Sequence, residues 1–407
     1  MPVEYSEQAA NAYARWKGNG KPVALWLDCD TGHDDAFAIL LSAQCPALRL
    51  LGISTIYGNA PLVKTTQNTR SILKAIGRED IPVYAGASKP FCRPAASAPD
   101  IHGESGLGVF LIWIGFLVTV LDGTTVLPEP GAPERTDMSA VLAMYKALIA
   151  EPPKTAWLVA TGCLTNAALL FNTFPDIVDH IAGLTIMGGA VGGGFTNAPM
   201  GSLEGEGERF GNWTPWAEFN IYIDPESAQS VFSNPVLAAK TTIAPLDLTH
   251  QMLATPAICQ ELLYGFDKEV DGSEASVLRV LFNQILTFFA KTYADIFGLT
   301  EGPPLHDPLA VAMTFVPDLF DDRGGERFDI KVVIDGEHGV DEIARTTSQC
   351  GRTVLTPLKA GEPGVRVPRG LDAVTIWRML DLCLKQAEGE KPETMAMSAL
   401  WSVADDE

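Results

Sequence analysis

The chain has 407 residues, 47% of them hydrophobic and 19% charged, which is enough apolar material for a large core in one domain or several. Fifty acidic residues against 29 basic ones leave a net charge of −21, which repels phosphate backbones and argues against a nucleic-acid polymer or an anionic membrane as partner. Seven dispersed cysteines without a C-x-x-C pair read as reduced thiols of a cytoplasmic protein, excluding a disulfide framework or a cysteine-built zinc site.

Residues 1–21 are polar, lack the apolar core of a secretory signal, and read as an N-terminal extension. The body, 22–388, alternates short apolar runs with helical patterns. Val23–Leu27 reads as a buried strand, Asp34–Ser42 as a helix, Leu48–Ile56 as a strand, and Leu62–Ile76 as a helix stopped by Gly77. Further strands are expected at Ile81–Tyr84, Ala156–Ala160, Leu184–Met187 and Thr241–Ala244. Helices are expected at Met138–Ile149, Leu164–Phe171 and Ala275–Phe297. The alternation predicts an α/β fold: a single large domain with a mostly parallel, Rossmann-like central sheet flanked by helices and joined by right-handed crossovers.

Four segments interrupt the pattern. Leu127–Thr136 is rich in proline and charge and reads as a loop. Gly188–Gly211 is glycine-rich, ends near Glu204, Glu206 and Glu208, and reads as a long mobile loop, with its unusual length in 192–211. The polar tail 389–407 reads as frayed. Val109–Leu121, within the atypical apolar insertion 108–121, has 13 mostly apolar residues, too few to span a bilayer. It reads as a buried strand or helix, a contact patch, or sequence absent from the mature protein.

Polar residues collect where the apolar strands stop. Asp28-Cys29-Asp30-Thr31-Gly32-His33-Asp34-Asp35 follows the first strand, and in an open parallel sheet the carboxyl ends of strands form the ligand crevice. One aspartate there would merely complement a helix dipole. Four within eight residues need more, because two like charges 4 Å apart repel by roughly 4 kcal/mol at an effective dielectric of ~20. Such a group needs a cation, protonation or both. Oxygen donors alone favour a hard ion, Ca2+ or Mg2+, over zinc.

Other strand ends carry matching chemistry. Gly58-Asn59 offers a carboxamide, though alone it is an ordinary turn. Ala160-Thr161-Gly162 offers a backbone carbonyl. Asn212-Trp213-Thr214-Pro215-Trp216-Ala217-Glu218-Phe219-Asn220 mixes amides, an acid and aromatic rings, a composition suited to a sugar. His306-Asp307-Pro308 opens an apolar helical pattern with another carboxylate.

Together these segments resemble the inosine/uridine-preferring nucleoside hydrolases. The aspartate-rich fingerprint spans Asp28–Asp35, with Thr31 where many members carry proline. The same order continues through Gly58-Asn59, Ile101-His102-Gly103-Glu104-Ser105-Gly106, Ala160–Asn166, Met187-Gly188-Gly189, Ala217–Pro225, Leu246–His250 and His306-Asp307-Pro308. The resemblance covers about residues 22 to 385. It implies a Ca2+ held by Asp30, Asp35, Asp307 and the Thr161 carbonyl, with Asp30 also the general base toward a metal-held water.

The resemblance further implies that Asp34, Asn59 and Asn220 hold the 2′/3′ side of a ribose. Asn212 and Glu218 would hold its 5′-hydroxyl, beside Phe219, with Met187 beneath the sugar. His306 would be the acid near the departing base, and His102 and Tyr293 would belong to closing loops. The implied partner is a small nucleoside, and members are commonly homodimers or tetramers. In the family, Gly103–Leu107 leads quickly to a polar segment like Asp122-Gly123-Thr124. Here Gly108–Leu121 intervenes, read as extra sequence such as a retained intron.

Two other readings compete. Leu27-Asp28-Cys29-Asp30-Thr31 resembles the D-x-D-x-T start of haloacid-dehalogenase-type phosphohydrolases, with Asp28 as nucleophile, but leaves Asn212–Asn220 and His306-Asp307 without a role. A nucleoside-binding protein that keeps Ca2+ without turnover is the other.

Overall fold

The structure is a computed structural model and describes residues 2–17, 20–98, 126–201, 209–266, 275–336, 338 and 347–389. His102, the insertion 108–121, Glu204, Glu206, Glu208 and the tail beyond Gly389 lie outside the described residues.

Six strands form one all-parallel sheet: β1 (Val23–Cys29), β2 (Leu48–Thr55), β3 (Val83–Ala85), β4 (Ala156–Ala160), β5 (Gly183–Met187) and β6 (Thr241–Ala244). Each predicted strand is present, with ends shifted by a residue or two, the usual uncertainty of an element boundary. Their spatial order, β3-β2-β1-β4-β5-β6, reverses direction between β1 and β4. At that switch point the loops after two neighbouring strands diverge and leave a crevice at their carboxyl ends.

Burial on both faces explains why β1 (VALWLDC) shows no polar alternation. Leu25, Leu27 and Cys29 enter one core, while Ala24 and Trp26 enter the other. Covering helices fill both. The helix Asp35–Gln44 is buried along its whole length and packs against the helices Asp307–Ala312 and Ala373–Ala387. Two buried helices that each begin with an aspartate are therefore neighbours, which brings Asp35 and Asp307 together from distant parts of the chain.

The helix Val277–Phe297 is fixed at both ends. Ser276 accepts from the Arg279 N–H at its start, and Gly298 closes it in the left-handed conformation that favours glycine. Its buried residues Leu281, Phe282, Ile285, Leu286, Phe289, Tyr293 and Phe297 recur at helical spacing, and the last three point toward the crevice.

Three features depart from the sequence expectation. The supposed extension contains a helix, Pro2–Trp16, whose Ala12, Tyr13 and Trp16 share one face and enter the core; Trp16 is fully buried. Few apolar residues at helical spacing suffice to dock an otherwise polar helix. Phe328–Val332 and Thr353–Pro357 form an antiparallel pair, with a shorter pair between Phe320–Asp321 and Gly370–Leu371. The glycine-rich segment is tethered along 191–199, with Asp247 accepting from the N–H groups of Val191 and Gly192 at 2.7 and 2.9 Å. Among the described residues no helix is long and apolar enough to cross a membrane.

Docking of the first helix predicts that Trp16→Ala costs about 3 to 5 kcal/mol, the usual range for emptying a buried aromatic site. Thermal unfolding would register the loss, with ribose release below the new transition unchanged. An unaltered transition would return residues 1–21 to the status of a loose extension.

Candidate active site

The crevice gathers carboxylates from three segments. Asp30, just beyond β1, is fully buried; its Oδ2 accepts from the Asn59 backbone N–H at 2.7 Å, and its Oδ1 meets no protein donor. Gly58 lets this carboxylate come close, since a Cβ there would lie 2.0 Å from Asp30 Oδ2. Asp35 accepts from the Gly32 N–H at 2.8 Å, the Asn59 amide at 3.1 Å and the Thr161 hydroxyl at 2.8 Å. Asp34 Oδ1 is buried without a hydrogen-bond partner.

Oxygens of Asp34, Asp35 and Asp307 all lie within 4.8 Å of one another. The resemblance had placed Asp34 on the ribose and Asp30 among the metal ligands. Asp34 stands among these three, and Asp30 lies alongside in the same electrostatic neighbourhood. Burial, and then the neighbouring acids, pushes the carboxyls of Asp30 and Asp307 well above the usual carboxylate range. The same causes push Asp34 up to about 8, and burial raises Asp35 against four opposing hydrogen bonds. Four acids that resist ionising together, with two oxygens lacking donors, fit a site for a hard cation.

Asp28 faces another way. Its Oδ1 accepts from Ser54 at 2.5 Å and from the Asn166 amide at 2.8 Å, and it lies fully buried outside the cleft lining. Burial pushes its carboxyl up to about 7. This is a tie between strand ends, not an exposed nucleophile.

The opposite wall comes from the 212–220 segment and the helix Val277–Phe297. The Asn220 amide donates to the Thr161 carbonyl at 2.8 Å. Its nitrogen also lies 3.3 Å from the Met187 carbonyl and 3.4 Å from the Met187 sulfur. Glu218 caps the helix Phe219–Ile223 and accepts from the N–H groups of Asn220, Ile221 and Gly189 at 2.8, 3.1 and 2.9 Å. Burial raises its carboxyl; these three donors oppose the shift. Asn212 Oδ1 accepts from the Phe219 N–H at 3.0 Å.

His306 sits between two hydroxyls, with Nδ1 2.7 Å from Thr249 Oγ1 and Nε2 2.8 Å from Tyr293 O. Of the expected residues within the described chain, Asp34, Asn59, Thr161, Met187, Asn212, Glu218, Phe219, Asn220, Tyr293, His306 and Asp307 line one cleft. Asp30 and Asp35 lie fully buried against it through Asn59 and Thr161. Trp213, from the aromatic segment 212–220, also lines it, as do Phe289, Phe297 and Ala98, which were not singled out from sequence. The four-residue spacing of Phe289, Tyr293 and Phe297 on one predicted helix was the available signal for two of them.

Residues 25–378 match the model of the inosine-uridine preferring nucleoside hydrolase family. The chain belongs to that family. It is 40% identical over 292 residues to a uridine nucleosidase of Saccharomyces cerevisiae, covering 71% of this chain and 75% of that one. It is 38% identical over 294 residues to a pyrimidine-specific ribonucleoside hydrolase, RihA, of Citrobacter koseri, covering 72% and 80%. In fold it is similar to a plant nucleoside hydrolase, PpNRh1 (TM-score 0.67, 25% identity, 89% of this chain and 99% of that one). A purine-preferring ribonucleoside hydrolase from Gardnerella vaginalis gives the same TM-score at 24% identity, over 89% and 98%.

This nucleoside hydrolase thus has the expected α/β architecture, and the phosphohydrolase reading of Asp28 gives way to family membership and to the burial of that residue.

The raised carboxyls predict a sign for stability against pH. Their folded values exceed the unfolded ones, so the metal-free fold binds more protons than the unfolded chain between about pH 4 and about pH 8, and its stability falls as pH rises through that window. Chelator-treated protein should therefore melt progressively lower from about pH 5 to about pH 8. Excess Ca2+ should flatten that slope and raise the midpoint. A melting temperature indifferent to pH and to Ca2+ would refute the cation reading of the cluster.

Proposed function

We propose that this enzyme cleaves ribonucleosides, uridine among them, by adding water to C1′ of the ribose, with Asp30 as general base and a Ca2+ held by Asp30, Asp35, Asp307 and the Thr161 carbonyl. The observation that carries the reading is one cleft lined by both buried carboxylates and a hydroxyl-bracketed histidine. The all-oxygen donor set and the orphaned oxygens of Asp30 and Asp34 favour a hard divalent ion. When bound, such an ion supplies positive charge that acidifies a water and anchors the sugar diol.

The side chains divide the remaining work. Asn59 and Asn220 present amides, and Asp34 a carboxylate, to the 2′- and 3′-hydroxyls. Asn212 and Glu218 take the 5′-hydroxyl, Met187 lies beneath the ring, and Phe219 packs beside it. Asp30 accepts the proton of the attacking water as its oxygen bonds to C1′. The nearby carboxylates stabilise the positive character that develops on the sugar. The departing base keeps the electron pair of the broken C1′–N bond.

That base then takes a proton. His306 presents neither ring nitrogen to an open side, because Thr249 and Tyr293 occupy both. The proton is supplied by the Tyr293–His306 pair, with Tyr293 the member nearer the cleft aromatics Phe289 and Phe297. The similarity to a uridine nucleosidase at 40% identity and to a pyrimidine-specific ribonucleoside hydrolase at 38% supports uridine as the first substrate to try.

Asp30→Asn is expected to lower kcat on uridine by on the order of a hundredfold or more, the usual worth of a positioned general base, without abolishing nucleoside binding. Chelation should remove activity and Ca2+ restore it. Tight uridine binding by calorimetry with no base released over hours would instead support a non-catalytic binding protein, and an Asp30→Asn enzyme of full activity would remove Asp30 from the role of base.

A further inference from the structure

His33 stands among the acids of the first loop, between Gly32 and Asp34, yet its side chain packs on another element. It is 1% exposed. Its imidazole lies parallel to the Phe288 ring (centroids 4.9 Å apart, planes at 4°) and to the Phe289 ring (5.5 Å, 10°). These two phenylalanines are consecutive on the helix Val277–Phe297, where neighbouring side chains diverge by about 100°. A flat ring parallel to both therefore sits in the notch between them. One turn further along the chain, Phe37 meets Phe282 edge-on, with centroids 4.8 Å apart and planes at 74°. Two aromatic contacts from one short stretch thus fix where the long helix lies along the acidic loop and the helix Asp35–Gln44.

That register matters because of what the long helix presents. Phe289 lines the cleft together with Tyr293 and Phe297. Its ring meets Tyr293 edge-on at 4.7 Å and 71°, and lies 6.2 Å from the His306 ring. Tyr293 and His306 are the pair assigned to the departing base, so Phe289 belongs to the wall beside which that base must lie. A nucleobase has a π-face and gains from stacking on such a ring. The gain depends on the attitude of the ring, and His33 sets that attitude from behind. A leucine in its place would fill the space without offering a flat face.

We propose that His33 is a positioning residue for recognition of the base: stacked in the notch of Phe288 and Phe289, it holds the Phe289 ring ready for a planar base. The inference rests on the proposed placement of the base beside Tyr293 and His306, and extends it by one layer behind the cleft wall. One loop then serves two parts of the nucleoside, its carboxylates the sugar and its imidazole the base.

The test separates base from sugar and metal on the full-length enzyme. It measures kcat/KM on uridine with Ca2+ present, competitive inhibition by D-ribono-1,4-lactone, and Ca2+ binding to chelator-treated protein by calorimetry. The lactone keeps the ribose hydroxyls but carries no base. His33→Leu is expected to lose on the order of tenfold in kcat/KM on uridine, the scale of one weakened base–aromatic stack, while the constants for the lactone and for Ca2+ stay within about threefold. His33→Phe restores a flat ring and should return uridine to within about threefold of the parent enzyme. Parallel losses for uridine, lactone and Ca2+ would mean that His33 only supports the acidic loop, and would overturn the proposal. An unchanged rate on uridine in His33→Leu, or a phenylalanine no better than the leucine, overturns it too. Should His33→Leu fail to fold, Phe288→Leu, which takes one ring out of the same stack, decides by the same measurements. Phe289→Ala separates the two layers: if it weakens uridine and the lactone alike, the base does not lie against Phe289 and the inference falls with that placement. If it weakens uridine alone while His33→Leu spares it, only His33 is refuted.

Discussion

Four carboxylates held out of water at one point of a parallel sheet are the constraint to which the rest of the crevice answers. Asp30, Asp34, Asp35 and Asp307 are all buried, and each would ionise readily in water. Folding tolerates them through partial compensation. Asp35 has a backbone N–H, an amide and a hydroxyl, and Asp30 has one backbone N–H. Asp35 and Asp307 also open helices, where the dipole favours negative charge. These groups leave oxygens of Asp30 and Asp34 without donors, and the mutual repulsion remains. A fold that keeps such an arrangement is complementary to a cation.

Electrostatic contrast between the two walls follows from this. Glu218 is as buried as the aspartates, yet three backbone N–H groups surround its carboxylate, and among the described residues no carboxylate neighbour raises it further. It is an acid solvated by peptide dipoles, suited to accept from a sugar hydroxyl. The aspartates are an acid cluster solvated incompletely, suited to a metal. The difference lies in local backbone geometry: Glu218 caps a short helix end-on, whereas the aspartates converge from separate elements.

That contrast explains what the sequence revealed and what it concealed. The six strands were legible because each is a short apolar run bounded by turn residues, and a doubly covered parallel sheet produces such runs. The acids were legible because they follow β1 directly or begin an apolar helix, where polar residues need a reason. Which of their oxygens approach one another was not, since that depends on how the helices Asp35–Gln44 and Asp307–Ala312 pack, a contact between distant segments. Asn166 and Thr249 were missed as supports for the same reason: each acts through a bond to another side chain far along the chain. The first helix was missed because Ala12, Tyr13 and Trp16 are a minority among polar neighbours, and only the surface they meet makes them core.

The glycine-rich segment after Met187 shows how the surroundings of His306 are built from material that looks pliable in sequence. Asp247 collects two of its N–H groups, the Thr196 hydroxyl donates to the Asp247 carbonyl at 2.7 Å, and His250 Nδ1 lies 2.6 Å from the Pro199 carbonyl. Burial pushes His250 down to about 4, so near neutral pH it is uncharged, with its proton on Nδ1 to meet that carbonyl. Asp247 and His250 flank Thr249, whose hydroxyl holds His306 Nδ1. One short stretch, 247–250, therefore anchors the segment with its outer residues Asp247 and His250 and holds His306 with Thr249. A displacement of the segment would be carried to His306 through Thr249, because all three side chains share a backbone too short and too buried to absorb it.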